Sequence, residues 1–283
     1  MNKWTAFFFL GMTVACFGPK KTGPESVMDP RYDGLQATFW VQSSSEYRAL
    51  CLQAYATAAH NLDALAADPG RRAHIAQRDR DAAQLPPAVI VDVDETVLDN
   101  SPYQVSLLDE GTGFSDATWT RWVERREALP IPGSLEFLKS AAAKGVAVFY
   151  ISNRREKLRE ATLDNLRLHG FPLADNALLL RETTSDKEPR RERVAENYRI
   201  IMMIGDVLGD FHSAFDETDS AHRHQSLNRF HEHLGRDWIL LPNPLYGRWE
   251  AAAYGGARLN PQEQREQKLK HLRRFQKKEE LSP

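Results

Sequence analysis

Asp92 and Asp94 stand two residues apart, directly after the apolar run Ala88-Val89-Ile90-Val91. In an extended chain, residues i and i+2 point to one side, so the two carboxylates would share a site. Burying two like charges together is unfavourable unless a cation neutralises them or one is protonated. No cysteine or histidine lies beside them in the sequence. A hard ion held by oxygen, Mg²⁺, therefore suits the pair better than a soft one. Taken alone, the pair reads equally well as two turn-forming acids at a strand exit.

Three later stretches weigh against that bland reading. Ser152-Asn153-Arg154 offers a hydroxyl and backbone amides that could hold a phosphate oxygen. Lys187, in Thr183-Thr184-Ser185-Asp186-Lys187, offers a cation for a transferring phosphoryl group. Gly205-Asp206-Val207-Leu208-Gly209-Asp210-Phe211 returns two more carboxylates. Each alone has a plain structural reading as a cap, a surface charge or a turn acid. Together they follow successive apolar runs in order, which chance does not readily produce.

Those runs are the elements that must position the site. Residues 88–91, 146–151, 177–180, 200–204 and 238–241 are short, apolar and without polar alternation. That pattern suits strands buried on both faces of a parallel sheet. Helical stretches lie between most of them, such as Leu135 to Lys144 and Arg155 to His169. Alternating strand and helix predicts a three-layer, Rossmann-like α/β core. The interval 99–132 breaks the rhythm and holds Phe114, Trp119 and Trp122, so it reads as a mainly helical cap over the carboxyl ends of the sheet. Before the core, Tyr47, Leu50, Cys51, Ala54, Ala58, Leu62 and Leu65 fall on one helical face, with Ser43, Ser44 and Ser45 as candidate caps. Residues 67–86 read as helix and loop. The stretch 256–283 is a charged tail, with only Leu269, Leu272 and Phe275 as a thin apolar stripe.

The chain starts differently. Lys3 precedes an uncharged run from Trp4 to Ala15, too short for a bilayer span of about 20 residues but suited to an export signal. The run ends at Cys16, and residues 17–34 read as a tether. Thr13-Val14-Ala15-Cys16 resembles a bacterial lipoprotein cleavage site, although Thr13 stands where such sites usually carry Leu. The resemblance implies a lipid anchor on Cys16 and an outer-membrane or periplasmic location. An ordinary cleaved signal, or a disulfide between Cys16 and Cys51, are the competing readings. The net charge of -2 excludes no fold but gives no reason to expect a nucleic acid polymer as partner. A homodimer is left open.

The motifs together resemble the haloacid dehalogenase (HAD) superfamily, and within it the class C nonspecific acid phosphatases, which include outer-membrane lipoprotein 5′-nucleotidases. The likeness rests on residues 92–103, 149–154, 205–211 and 241–250, with support from residues 35–47, and spans about residues 35–255. It implies hydrolysis of small phosphate monoesters, with Asp92 as nucleophile and Asp94 as acid and then base. Asp94 can serve so only if it starts protonated, which suits an acidic optimum. It implies Mg²⁺ held by Asp92, the Asp94 carbonyl and Asp206, with Asp210 orienting the metal's waters or Lys187. Ser152, Asn153 and Arg154 would meet the phosphate. Phe114, Trp119 and Tyr246 are candidates to stack on a ring of the substrate. A ligand-binding surface lipoprotein, or a phosphotransferase on the same fold, are the alternatives. The pairs His222/His224 and His231/His233 mimic metal spacing, but i and i+2 face apart on a helix.

Overall fold

Five parallel strands form the centre of the molecule. The computed structural model describes residues 32–217 and 219–272. The signal reading on residues 1–16, Cys16, the tether up to residue 31 and the tail beyond residue 272 lie outside the described residues. The strands are β1 (Pro87–Val91), β4 (Ala147–Arg155), β5 (Leu178–Arg181), β6 (Arg199–Gly205) and β7 (Trp238–Leu240), and they lie in the order β5-β4-β1-β6-β7. All five apolar runs thus form strands.

Both faces of the sheet are covered, which is why those runs carry no polar alternation. Along β1, Val89 and Val91 enter one apolar cluster, and Ala88 and Ile90 enter the other. The first face is packed by α2 (Ser45–Ala67) and α5 (Ser134–Ala143), together with Leu166 of α6 (Arg159–His169). The second is packed by α7 (Glu188–Ala195), by α8 (Ser220–Phe230) and by Trp238 of β7 stacked on Phe211. Each fully buried Val or Ile contributes about 1.5–3 kcal/mol.

Helix α2 follows α1 (Leu35–Ser43), and Ser44 caps it by accepting from the Tyr47 N–H at 3.0 Å. Tyr47, Cys51, Ala58, Leu62 and Leu65 of the expected face are buried. Leu50 is exposed instead, and Tyr55 takes a place inside. The Tyr55 hydroxyl donates to the Thr96 carbonyl at 2.7 Å, so α2 braces the chain just beyond β1. Of residues 67–86, Ala67 ends α2, and the rest holds a single 3-10 turn, Ile75–Gln77, among irregular chain.

The interval after β1 holds β2 (Leu98–Asp99) and β3 (Leu129–Pro130), a short antiparallel pair. They clamp the base of two helices, α3 (Ser101–Glu110) and α4 (Asp116–Arg125). Gly111, at φ 60°, ends α3 in the left-handed region. Ser115 and Thr118 form a capping box at the start of α4. Helices α9 (Arg248–Ala251) and α10 (Pro261–His271) complete the described chain. No helix among the described residues is long and apolar enough to cross a membrane.

Candidate active site

In the strand order, β1 has β4 on one side and β6 on the other, so the connections leave in opposite directions from this point. Open α/β sheets bind ligands at the carboxyl ends of the strands beside such a switch. Asp92 follows β1 and Asp206 follows β6, and both line one cavity of about 300 Å³. Asp94, Asn153, Lys187, Asp210 and Tyr246 line it too.

Lys187 binds both ends of the acidic set. Its Nζ pairs with Asp92 Oδ1 and lies 2.7 Å from Asp210 Oδ1. The Asp210 contact is an ion pair between two buried groups. The other Asp210 oxygen accepts from the Val207 N–H at 3.1 Å. Gly205 makes room for it: a Cβ there would lie 2.2 Å from Asp210 Oδ2 and 2.5 Å from its Cβ. The carboxylate is held at both oxygens and has nowhere to swing, so glycine is required for closeness, not for φ. Asp206 accepts from Thr96 Oγ1 at 3.0 Å and from Asn243 Nδ2 at 2.6 Å.

Burial pushes the Asp92 carboxyl well above the usual range, against the pull of Lys187 and with repulsion from Asp210 and Asp206 adding to it. Burial, then repulsion from Asp210, pushes Asp206 up to about 7. Burial alone would lower Lys187, but Asp210 and Asp92 outweigh it and hold the ammonium above its ordinary value.

These residues fit a hard divalent cation. Oxygens of Asp92, Asp206 and Asp210 lie within 4.8 Å of one another, and all three residues are buried. With all three ionised, one lysine would leave two of the charges unbalanced, and a cation would offset them. The side-chain donor set is oxygen only, which favours Mg²⁺ over softer ions.

The second stretch behaves differently from its sequence reading. Strand β4 does not stop at Ile151 but runs to Arg155, and its alternation continues. Ser152 and Arg154 therefore turn inward, and Asn153 and Arg155 outward. Asn153 reaches the cavity. Arg190 donates to Asn153 Oδ1 at 2.7 Å and to the Ser152 carbonyl at 2.5 Å. An arginine has no acceptor, so it must face the amide oxygen, which leaves the Asn153 NH₂ to face elsewhere. Arg154 does not line the cavity: its side chain is buried and donates to Asp94 Oδ1 from Nε at 3.0 Å and from Nη2 at 2.8 Å. Ser152 Oγ accepts from the Arg154 N–H and donates to Asp94 Oδ2 at 3.3 Å.

Among the three aromatics, Tyr246 alone lines the cavity. Trp119 packs edge-on against Tyr103 at 5.1 Å and under the Arg154 guanidinium at 5.6 Å. Phe114 is the outer member of that cluster and is 66% exposed. Both belong to the cap's own packing. His233 is buried on Asp237, while His231 is exposed, so the pair makes no chelate.

Sequence reasoning gave no separate role to Glu95, Thr96, Asn100, Arg190 or Asn243. Glu95 adopts φ 55°, a costly region for a non-glycine residue. Its carboxylate accepts from the Asn100 N–H at 3.0 Å and from the Tyr246 hydroxyl, tying the turn after β1 to the late loop. Glu95, Thr96 and Asn100 sit inside the acidic motif, and Asn243 in Leu241-Pro242-Asn243-Pro244, so position near a motif was the available signal.

A parallel sheet with acids at its central strand ends defines a HAD-type α/β fold. The model of the HAD superfamily, subfamily IIIB (acid phosphatase), matches residues 21–249, and the chain belongs to that family. It is similar to the class C acid phosphatase from Bacillus anthracis, with 34% identity and a TM-score of 0.78 over 88% of this chain and 100% of that one. A tungstate-bound structure of that enzyme gives 34% identity and a TM-score of 0.77, over 87% of this chain and 99% of that one. Acid phosphatase 1 of Solanum lycopersicum is 33% identical across 43% of this chain and 50% of its own length. Vegetative storage protein 1 of Arabidopsis thaliana is 27% identical across 43% and 47%. The chain thus spans about half the length of these curated relatives.

Proposed function

We propose that this chain is an exported, Mg²⁺-dependent acid phosphatase that hydrolyses small phosphate monoesters, nucleoside 5′-monophosphates among them, through an aspartyl-phosphate on Asp92. The observation that carries the reading is the convergence of Asp92, Lys187, Asp206 and Asp210 at the switch point of the sheet, in one cavity with Asp94. In the first step an Asp92 oxygen bonds to phosphorus as the ester P–O bond breaks, and Asp94 gives its proton to the departing oxygen. In the second, Asp94 takes a proton from the water that attacks the aspartyl-phosphate, releasing phosphate and restoring Asp92. Lys187 supplies positive charge where phosphoryl oxygens gather, and the Asn153 NH₂ offers a neutral donor beside it. Asp92, Asp206 and the Asp94 carbonyl would hold Mg²⁺, with Asp210 beside them, and the ion would offset charge on the transferring group. Tyr246 offers a face for a ring on the leaving group.

A turnover screen over phosphate monoesters tests this. We expect hydrolysis of 4-nitrophenyl phosphate and of 5′-nucleotides that stops with a chelator and returns with Mg²⁺. Turnover undiminished by chelation would remove the metal from the reading. Two relatives are named storage proteins, so a protein that retains ligand without any turnover in Mg²⁺ is the alternative. Phosphate diverted to an added alcohol would indicate a phosphotransferase.

Export and a lipid anchor rest on residues 1–16. Cells fed labelled palmitate should yield a labelled protein, and Cys16→Ser should not label. Label retained by that variant would sink the anchor.

A further inference from the structure

The two oxygens of Asp94 are bonded very unequally. Oδ1 accepts from Arg154 Nε at 3.0 Å, from Arg154 Nη2 at 2.8 Å and from Asn100 Nδ2 at 2.9 Å. Among the described residues, Oδ2 accepts only from Ser152 Oγ, at 3.3 Å. One oxygen is saturated by nitrogen donors, and the other keeps its acceptor capacity in a residue that lines the cavity.

The donors are themselves fixed. Asn100 Oδ1 accepts from Trp122 Nε1 at 2.8 Å and from Arg154 Nη2 at 3.4 Å. Both partners can only donate, so the amide cannot flip, and its NH₂ must face Asp94. Arg154 is held further by Thr162 Oγ1, which accepts from Nη1 at 3.1 Å and donates to the Leu158 carbonyl at 2.8 Å. Asn100, Arg154 and Thr162 are all buried. The chain of bonds starts on the cap, at Trp122 of α4, passes through Asn100, the residue just before α3, and ends on the core.

We propose that Trp122, Asn100 and Arg154 are positioning residues that hold Asp94 so that Oδ2, not Oδ1, meets the leaving-group oxygen. Placement of the cap thereby sets the aim of the acid. The inference rests on the phosphatase reading above. It asks Arg154 to act through Asp94 and not on the phosphate.

The leaving group discriminates this role from general damage. The ratio kcat/KM reports steps through loss of the leaving group, where Asp94 gives its proton. A glycerol phosphate alkoxide needs that proton, and 4-nitrophenoxide scarcely does, so misaimed acid hurts the first far more. Trp122→Phe deletes one N–H and keeps a ring. We expect kcat/KM to fall about 10-fold or more for glycerol phosphate and less than about 3-fold for 4-nitrophenyl phosphate, about a tenth or less of the 10²–10⁴-fold that acid–base catalysis supplies. Inhibition by inorganic phosphate should be unchanged. Arg154→Lys, which keeps the charge and loses the fork, should show the same selectivity and serves if Trp122→Phe does not fold. Equal falls on both esters, no fall on either, or weakened phosphate inhibition by Arg154→Lys would overturn the proposal while leaving the phosphatase reading standing. A wild-type protein that hydrolyses neither ester would overturn that reading first.

Discussion

Replacing Asp92 by Asn should abolish hydrolysis of 4-nitrophenyl phosphate, by about 10⁴-fold or more, while the protein folds at least as well as before. The amide keeps the shape of the carboxylate but gives up the oxygen nucleophile on which the proposed intermediate forms. Loss of stability is not expected, because the charge removed is a costly one. Asp92 is buried beside Asp210 and Asp206, and burial is the main reason its carboxyl is pushed up. Lys187 retains Asp210 as a partner at 2.7 Å. The metal-free variant should therefore melt at or above the wild-type temperature. Turnover within 10-fold of wild type would show that Asp92 is not the nucleophile. A lost activity accompanied by a lost fold would show only that the pair with Lys187 is structural, so circular dichroism and melting accompany the assay.

What the sequence disclosed and what it hid follow from one distinction. A strand buried on both faces advertises itself through composition, so all five strands and the acids at their ends were legible. Asp92 and Asp206 directly follow buried apolar runs, and Asp210 completes the second motif; each alone could be a turn acid, and their recurrence at successive strand ends makes them recognisable. Direction within a strand end is not legible in that way. Whether β4 stops at Ile151 or continues to Arg155 decides which of Ser152, Asn153 and Arg154 faces the cavity, and no residue there is apolar enough to mark the end. The continuation turns Arg154 away from substrate and onto Asp94. Phe114 and Trp119 failed to reach the cavity for a related reason. Aromatic residues in a two-helix cap satisfy its own small core as readily as a ligand, and Tyr103 sits where it can gather both. Arg190 is one charge among many in Lys187-Glu188-Pro189-Arg190-Arg191-Glu192-Arg193, and Asn243 is the polar residue of Leu241-Pro242-Asn243-Pro244, whose type does not disclose its partner. Only the fold shows that one orients Asn153 and the other Asp206.

The metal-free protein should be more stable at pH 5 than at pH 7.5, the reverse of the trend expected from paired surface carboxylates. Asp206 is pushed up to about 7 by burial and by Asp210, and burial also raises Asp92 and Glu95. In the unfolded chain an Asp titrates near 3.9. Between those values the folded protein keeps protons that the unfolded chain has released, so stability falls as pH rises through the window from about 4 to about 7. Asp206 alone contributes on the order of 2–4 kcal/mol across that window. Buried His74 and half-buried His212 act in the opposite sense, since desolvation lowers both and the unfolded chain takes up their protons first. Three raised carboxyls, Asp206 to about 7 among them, outnumber the two histidines. Melting of chelator-treated protein should therefore drop by about 5–10 °C from pH 5 to pH 7.5. Mg²⁺ should restore most of that at pH 7.5 and little at pH 5, because it binds the ionised carboxylates; at 100 times its dissociation constant it adds about 2.7 kcal/mol. Asp206→Asn removes one of the three raised carboxyls and should lessen the pH dependence and the Mg²⁺ response together. A metal-free protein that melts higher at pH 7.5 than at pH 5, with Asp206→Asn following the same curve, would mean that the acidic set carries no buried charge to relieve. The case for a cation among Asp92, Asp206 and Asp210 would then lose its physical basis.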